Sequence, residues 1–229
     1  MKVKKYHKDS VLIIADTHCP YDHKHYLSFL KQIQNRVKCG TVVHIGDGMD
    51  NSAFSFKYNP DPDLPSPKDE IAKARKSLQK YFHAFPKVKY CLGNHCRRVN
   101  LKGRHNFLPQ EVFRPFRDIW GLPGGWEDDF NHEIDGVLYQ HGHMTGEMAH
   151  IKQAIMNRQS TVSGHTHSVA AVNYLVSRKD RLLAMGVGSG IDNKNLCFSY
   201  GKDALKKPVV SCGVVTDHGR YGQIFPMEL

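Results

Sequence analysis

The sequence predicts a layered α/β protein. Short β-branched or apolar runs alternate with longer segments of helical period. Across the first ninety residues the order is strand, helix, strand, helix, strand, which implies parallel pairing with right-handed crossovers. Beyond residue 135 several short strand-like runs follow with one helix among them, the pattern of a mostly antiparallel sheet packed on the first half.

Each element has a local reason. Val11 to Ala15 is an apolar run suited to a buried strand, and from Asp22 onward Tyr26, Leu30, Ile33 and Val37 recur at helical spacing until Cys39-Gly40 stops the helix. Thr41 to Ile45 is a second strand and Lys87 to Leu92 a third. Between them a helix begins at Ser66-Pro67: Ser66 is a natural N-cap, Pro67 suits the first turn, and Asp69 complements the positive helix end. Its apolar face is Ile71, Ala74, Leu78, Phe82 and Phe85. In the second half the strand-like runs are 137–140, 161–163, 169–176, 182–187, 209–215 and 223–225, with a helix over 147–158. Tyr58 to Pro67, with four prolines, and Trp120 to Trp126, rich in glycine, are predicted to be surface loops.

A chain of 229 residues, 40% hydrophobic, suits one domain over residues 1–229. Its net charge of +10 favours polyanions such as nucleic acid or anionic substrates. The longest apolar run is five residues, far short of the roughly 20 a membrane helix needs, so the expectation is a soluble, unprocessed, cytoplasmic protein with no membrane partner. Six cysteines without a Cys-x-x-Cys pair are expected to be reduced thiols, mostly buried. No protein partner can be inferred.

The residues that carry chemistry lie just after the strands. Asp16-Thr-His18 follows the first, Gly46-Asp47-Gly-Met-Asp50 the second, Gly93-Asn94-His95 the third, His141-Gly142 a fourth and Gly164-His165-Thr-His167 a fifth. Carboxyl ends of parallel strands converge on one crevice, so these groups can meet. Each cluster alone is a common turn; five at five strand ends are hard to assign to chance. Imidazole nitrogen and carboxylate oxygen suit divalent transition metals, and no thiolate enters any cluster. The set is large enough for two adjacent cations sharing a carboxylate, the arrangement that clamps attacking and leaving oxygens of a phosphoryl displacement.

In this order the motifs resemble the calcineurin-like metallophosphoesterase superfamily over residues 16 to 167. The resemblance implies a four-layer α/β/β/α sandwich with a binuclear centre that hydrolyses phosphate esters through a metal-bridging hydroxide. It further implies Asp16, His18, Asp47 and His167 around one cation and Asp47, Asn94, His141 and His165 around the other, with Asp47 bridging. Manganese is the first expectation for the two divalent ions, with zinc, iron or nickel as alternatives. His95 would protonate the leaving oxygen and Asp50 would orient its ring. Where protein phosphatases of this superfamily carry an arginine after the second Asp, an arginine before Gly-Asn-His and an acid after it, this chain has Asn51, Leu92 and Cys96.

The expected substrate is therefore a phosphodiester of nucleic acid or a nucleotide. A nucleotide 5′-monophosphatase is the runner-up, followed by a protein phosphatase or a non-catalytic nucleic-acid-binding module. Arg97 and Arg98, with Lys102 and Arg104 behind them, are candidates for binding substrate phosphate, the alternative being a solvated loop. His143 and His150 are near enough to the motifs to contact substrate. Lys2, Lys4, Lys5 and Lys8 form a basic arm that either touches nucleic acid or is a frayed tail. Trp120 and Trp126 either stack on a base or cover the core edge, and Asp61 and Asp63 read as part of a rigid proline loop.

Overall fold

A computed structural model describes residues 9–56, 65–192, 194 and 205–228. The basic arm, Asp61, Asp63 and Cys197 lie outside the described residues. Among those described, no helix is long and apolar enough to cross a membrane, and Cys19, Cys39, Cys91, Cys96 and Cys212 are free and buried.

The first half alternates as expected. Strand β1 (Val11–Ile14) leads to α1 (Tyr26–Val37), which buries Tyr26, Leu30, Ile33 and Val37 and ends on Lys38 in the left-handed conformation. Strand β2 (Thr41–His44) is followed by α2 (Pro67–Ala84), capped by Ser66, whose hydroxyl accepts from the Asp69 amide at 3.2 Å. Strand β3 is Val88–Cys91. α2 also ties down the loop after β1: Ser77 and Tyr81 donate to the Asp22 carboxylate at 2.6 and 2.9 Å. At its start the Glu70 carboxylate accepts from the amides of Ser52 and Ala53, just beyond Asp50.

Four elements appear between residues 98 and 134, a stretch for which the sequence predicted no helix or strand, and the expected Trp120 to Trp126 loop joins two of them. Arg98–His105 is a helix, α3, and Phe116–Trp120 a short one, α4; Trp126–Asp129 and Asn131–Ile134 are strands β4 and β5. The remainder comprises β6 (Val137–Gln140), α5 (Ala149–Asn157), β7 (Ser160–Ser163), β8 (Ala170–Val176), β9 (Arg181–Val187), β10 (Ser211–Thr216) and β11 (Tyr221–Pro226).

These strands form two sheets. The six-stranded sheet has the order β11-β10-β1-β2-β3-β4, the five-stranded one β5-β6-β7-β9-β8. β1 to β4 are mutually parallel, while β10 and β11 join antiparallel beside β1. The second sheet is not mostly antiparallel: β6, β7 and β9 run parallel, with β5 and β8 antiparallel at its edges. The reason is the α5 crossover, which returns the chain to the same end of the sheet before β7. Its consequence is that β6 and β7 deliver their carboxyl ends, like β1 to β3, to one region. The sheets meet through Gly213 and Gly222, where an added Cβ would press on Met185 and Leu183 of the opposing sheet.

Neither tryptophan is offered to a ligand. Trp120 and Trp126 are fully buried, and Trp126 Nε1 donates to the Phe85 carbonyl at 2.8 Å while its ring meets Phe82 edge-on. Trp126→Phe should therefore lose about 1–3 kcal/mol, because it strands a buried carbonyl as well as removing ring area. The loss is read from the urea midpoint; an unchanged midpoint would contradict this placement.

Candidate metal centre

Five strand ends bring the motif residues together. Asp16 and His18 follow β1, Asp47 and Asp50 follow β2, Asn94 and His95 follow β3, His141 follows β6, and His165 and His167 follow β7. Asp16, His18 and His167 each place a donor atom within 4.8 Å of the other two, so do Asp47, His141 and His165, and a third such group is His18, Asp50 and His95. Asn94 joins the second group, its Oδ1 2.9 Å from His141 Nε2. His141 Nδ1 stands 3.7 Å from Asp16 Oδ1 and its Nε2 3.0 Å from Asp47 Oδ2, so one imidazole spans both groups.

The contacts are of a kind that a cation could satisfy. His18 Nε2 and His167 Nε2 face each other at 3.1 Å, and His165 Nδ1 faces His141 Nε2 at 3.2 Å. Lone pairs and carboxylate oxygens converge where a shared positive charge would satisfy them all. Asp16 Oδ1, fully buried, accepts no hydrogen bond among the described residues. Two glycines let backbone press against these carboxylates: a Cβ at Gly93 would lie 2.0 Å from Asp47 Oδ1, and one at Gly164 2.3 Å from Asp16 Oδ1. The residues present fit a pair of divalent cations.

Hydrogen bonds behind the site choose which nitrogen faces it. His18 Nδ1 donates to Asp50 Oδ1 at 2.7 Å, turning Nε2 inward. His141 Nδ1 donates to the Ile45 carbonyl at 3.2 Å with the same result. Asp16 Oδ2 accepts from the His165 amide and Asp47 Oδ1 from the His95 amide, each at 2.9 Å. The backbone at His18, Asp47, Asn51 and His165 has φ of 48, 45, 55 and 66°, the left-handed region that side-chain-bearing residues rarely adopt.

Asp50 serves two rings. Beyond His18 it meets His95, whose Nδ1 is 2.5 Å from the Asp50 carbonyl and 3.2 Å from its carboxylate. His95 Nε2 accepts from Arg98 at 2.9 Å, and Arg98 also donates to the Asp50 carbonyl at 3.0 Å. The Arg97 guanidinium lies over the Phe130 ring at 5.3 Å. His143 is exposed beside His141, whereas His150 is buried and bonded to Asn173, away from solvent.

The supporting roles of three residues escaped the sequence reading. His44 accepts from the Gly46 amide and meets the Thr17 hydroxyl, each at 3.2 Å, so it links the loops after β1 and β2 from beneath. A lone histidine inside an apolar strand was the available signal. Asn51 donates to the His95 carbonyl at 2.8 Å. Gln153 Oε1 fills the space a Cβ on Gly142 would need, 2.1 Å away.

Charge is divided unevenly. Burial and the nearby His95 hold His18 down at about 4, and burial with His141 does the same to His165. Burial pushes His44 to about 3. Burial opposes protonation of His141 too, but the carboxylates of Asp47 and Asp16 overcome it and raise the ring to about 9. Burial would raise Asp16, Asp47 and Asp50; the surrounding imidazoles hold all three below the ordinary carboxylate range.

A family model described as calcineurin-like phosphoesterase matches residues 10–207. Among solved structures, a metallophosphoesterase from Sphaerobacter thermophilus is 11% identical, covering 97% of this chain and 89% of that one at a TM-score of 0.49. An archaeal phosphodiesterase is 17% identical, with coverages of 95% and 99% and a TM-score of 0.47. Vacuolar protein sorting 29 from Cryptosporidium parvum is 14% identical, with coverages of 96% and 97% and a TM-score of 0.47. No curated protein matches the sequence.

His141 gives cation binding a pH signature. In the metal-free protein it keeps its proton up to about 9, and a cation taking Nε2 must expel that proton, whereas His18 and His165 are already neutral. Uptake of Mn²⁺ by metal-free protein should release close to one proton at neutral pH, and affinity should rise toward pH 9 and then level. Calorimetry in two buffers of different ionisation enthalpy measures the proton; buffer-independent heats would exclude a protonated His141.

Proposed function

Because the chain belongs to the calcineurin-like phosphoesterase family, we propose that it hydrolyses phosphodiester bonds of nucleotides or nucleic acid at a two-cation centre. In this reading Asp16, His18, Asp47 and His167 hold one divalent ion, and Asp47, Asn94, His141 and His165 the other. The observation that carries it is the side-by-side packing of two donor groups, Asp16/His18/His167 and Asp47/His141/His165, spanned by one imidazole. An oxygen and nitrogen donor set suits manganese first, then zinc, iron or nickel. When bound, such a pair polarises the phosphoryl oxygens and activates water as the nucleophile.

The chain's own residues supply the rest. His95 sits at the edge of the centre with Nδ1 fixed by Asp50, so its Nε2 is the nitrogen that protonates the departing oxygen. Arg98, whose guanidinium lies 2.9 Å from that nitrogen, is placed to pair with the phosphate being cleaved. Arg97, two residues after His95, and the exposed His143, two residues after His141, contact the substrate beyond the scissile bond. A net charge of +10 favours a polyanionic substrate. The positions that are arginine or acid in protein phosphatases are otherwise engaged: Asn51 holds the His95 carbonyl, and Cys96 packs 3.2 Å from the Tyr90 hydroxyl.

A panel of bis(p-nitrophenyl) phosphate, mononucleotides, cyclic nucleotides, single strands and duplexes, run with Mn, Zn, Ni and Mg, tests this reading. Turnover of diesters is expected. Cleavage of monoesters alone would replace it with a nucleotide phosphatase.

Asp47→Asn should remove more metal and more activity than any other ligand change, since it alone serves both ions; elemental analysis of the purified variant decides. Retention of two metals with full activity would end the bridging assignment.

His95→Ala should keep both metals yet lose about 10²–10⁴-fold in kcat on an ester with a sugar leaving group, because an alkoxide needs a proton as it departs. On a nitrophenyl diester the loss should be far smaller. Equal losses on the two esters would instead give His95 a role in binding the phosphoryl oxygens.

A further inference from the structure

The wall beside His95 carries aromatic rings as well as charge. Arg97, at the start of α3, lies 5.3 Å from the centroid of Phe130, and Lys102 Nζ, further along, 5.4 Å from that of Phe56. The His105 ring stacks on Phe56 at 5.6 Å and 19°. Neither phenylalanine belongs to the hydrophobic core: Phe56 is 50% exposed and Phe130 52%.

Both rings belong to segments that follow motif-bearing strand ends or pair beside them. Phe130 follows Asp129, which pairs with Cys91 at the end of β3, three residues before Asn94-His95 begins to turn into α3. Phe56 lies in the segment after Asp50, held there by Lys102 donating to the Ser55 carbonyl at 3.0 Å. An eight-residue helix is about 12 Å long. Beyond its far end Phe107 presents a ring 95% exposed, on backbone at a φ of 59° that a bulky residue seldom adopts.

We infer that this wall binds single-stranded nucleic acid, with Phe56 and Phe130 stacking on unpaired bases next to the scissile phosphate; the inference rests on the phosphodiesterase reading above. Alternating cations and exposed rings are the two elements of such a surface: the cations follow the phosphates, and the rings take base faces without regard to sequence. In a duplex those faces are covered by neighbouring base pairs. A mononucleotide has a single base, too little to cover rings on two separate segments and a third one helix length away. The wall thus selects an unpaired strand over both.

The test uses the Mn-loaded protein and a labelled phosphorothioate strand of about ten nucleotides, within the span such surfaces cover, read by fluorescence anisotropy against a hairpin duplex of equal length and AMP. The strand should bind more tightly than either. Phe56→Ala and Phe130→Ala should each weaken it by about 5- to 150-fold, Phe→Trp should restore binding and Phe→Leu should not. Since both rings are half exposed, the variants should melt like the parent, and circular dichroism checks this.

Arg97→Gln should reduce the slope of log affinity against log salt by about 0.7. Equal affinity for strand and duplex, or alanine variants that bind like the parent, would overturn the inference. Turnover of bis(p-nitrophenyl) phosphate by the parent protein is scored separately. Turnover with unaltered strand binding sinks this inference alone. Ring-dependent strand binding without turnover sinks the phosphodiesterase reading alone.

Discussion

Two buried carboxylates organise this molecule. Asp16 and Asp47 sit almost without solvent at the ends of neighbouring parallel strands, where a bare negative charge is expensive. Each is held by one backbone amide from another strand end, Asp47 by His95 and Asp16 by His165. The second bond crosses from one sheet to the other, so the same interaction that solvates a charge also sets how the sheets meet. His141 reaches both carboxylates from the second sheet, and its raised proton affinity is the electrostatic record of that position.

The loops that carry these groups are strained and interlocked. Left-handed backbone at His18, Asp47 and His165 costs of order 1–3 kcal/mol at each residue. Against that cost, the loops after β1 and β2 zip together: the amides of His18 and Cys19 donate to the carbonyls of Asp47 and Gly48 at 2.9 Å, and the Asp50 amide donates back to Cys19 at 3.0 Å. His44 braces the pair from below and α2 pins the flanks through Asp22 and Glu70. The donor atoms are thereby set in place by backbone bonds before any cation arrives.

Much of this was legible in the sequence because it is local. Apolar runs gave β1 to β3, the Ser66-Pro67-Asp69 start gave α2, and the strand-end motifs marked each residue that the structure gathers into the donor groups. The misses follow from distance and from weak local signals. α3 buries only Gly103 among its residues and shows no apolar stripe, so its basic sequence resembles a solvated loop. β10 belongs to the first sheet through pairing with β1 about two hundred residues earlier and carries β11 with it, which no short-range pattern encodes. The Asp50 carboxylate lies closer to His18 than to the His95 that the motif suggested, a pairing visible only once the first two loops are zipped.

That distant pairing of β1 has a bearing on how the protein is made. β1 lies between β2 and β10, so when the first half of the chain leaves the ribosome one edge of its most apolar strand has no neighbour. Contacts this long in sequence form slowly. A nascent chain at that stage already presents Asp16, His18, Asp47 and Asn94 but lacks His165 and His167, which arrive only with the second sheet. The donor groups at the strand ends are thus complete only after the second sheet has been made, and until β10 follows one flank of β1 stays unpaired.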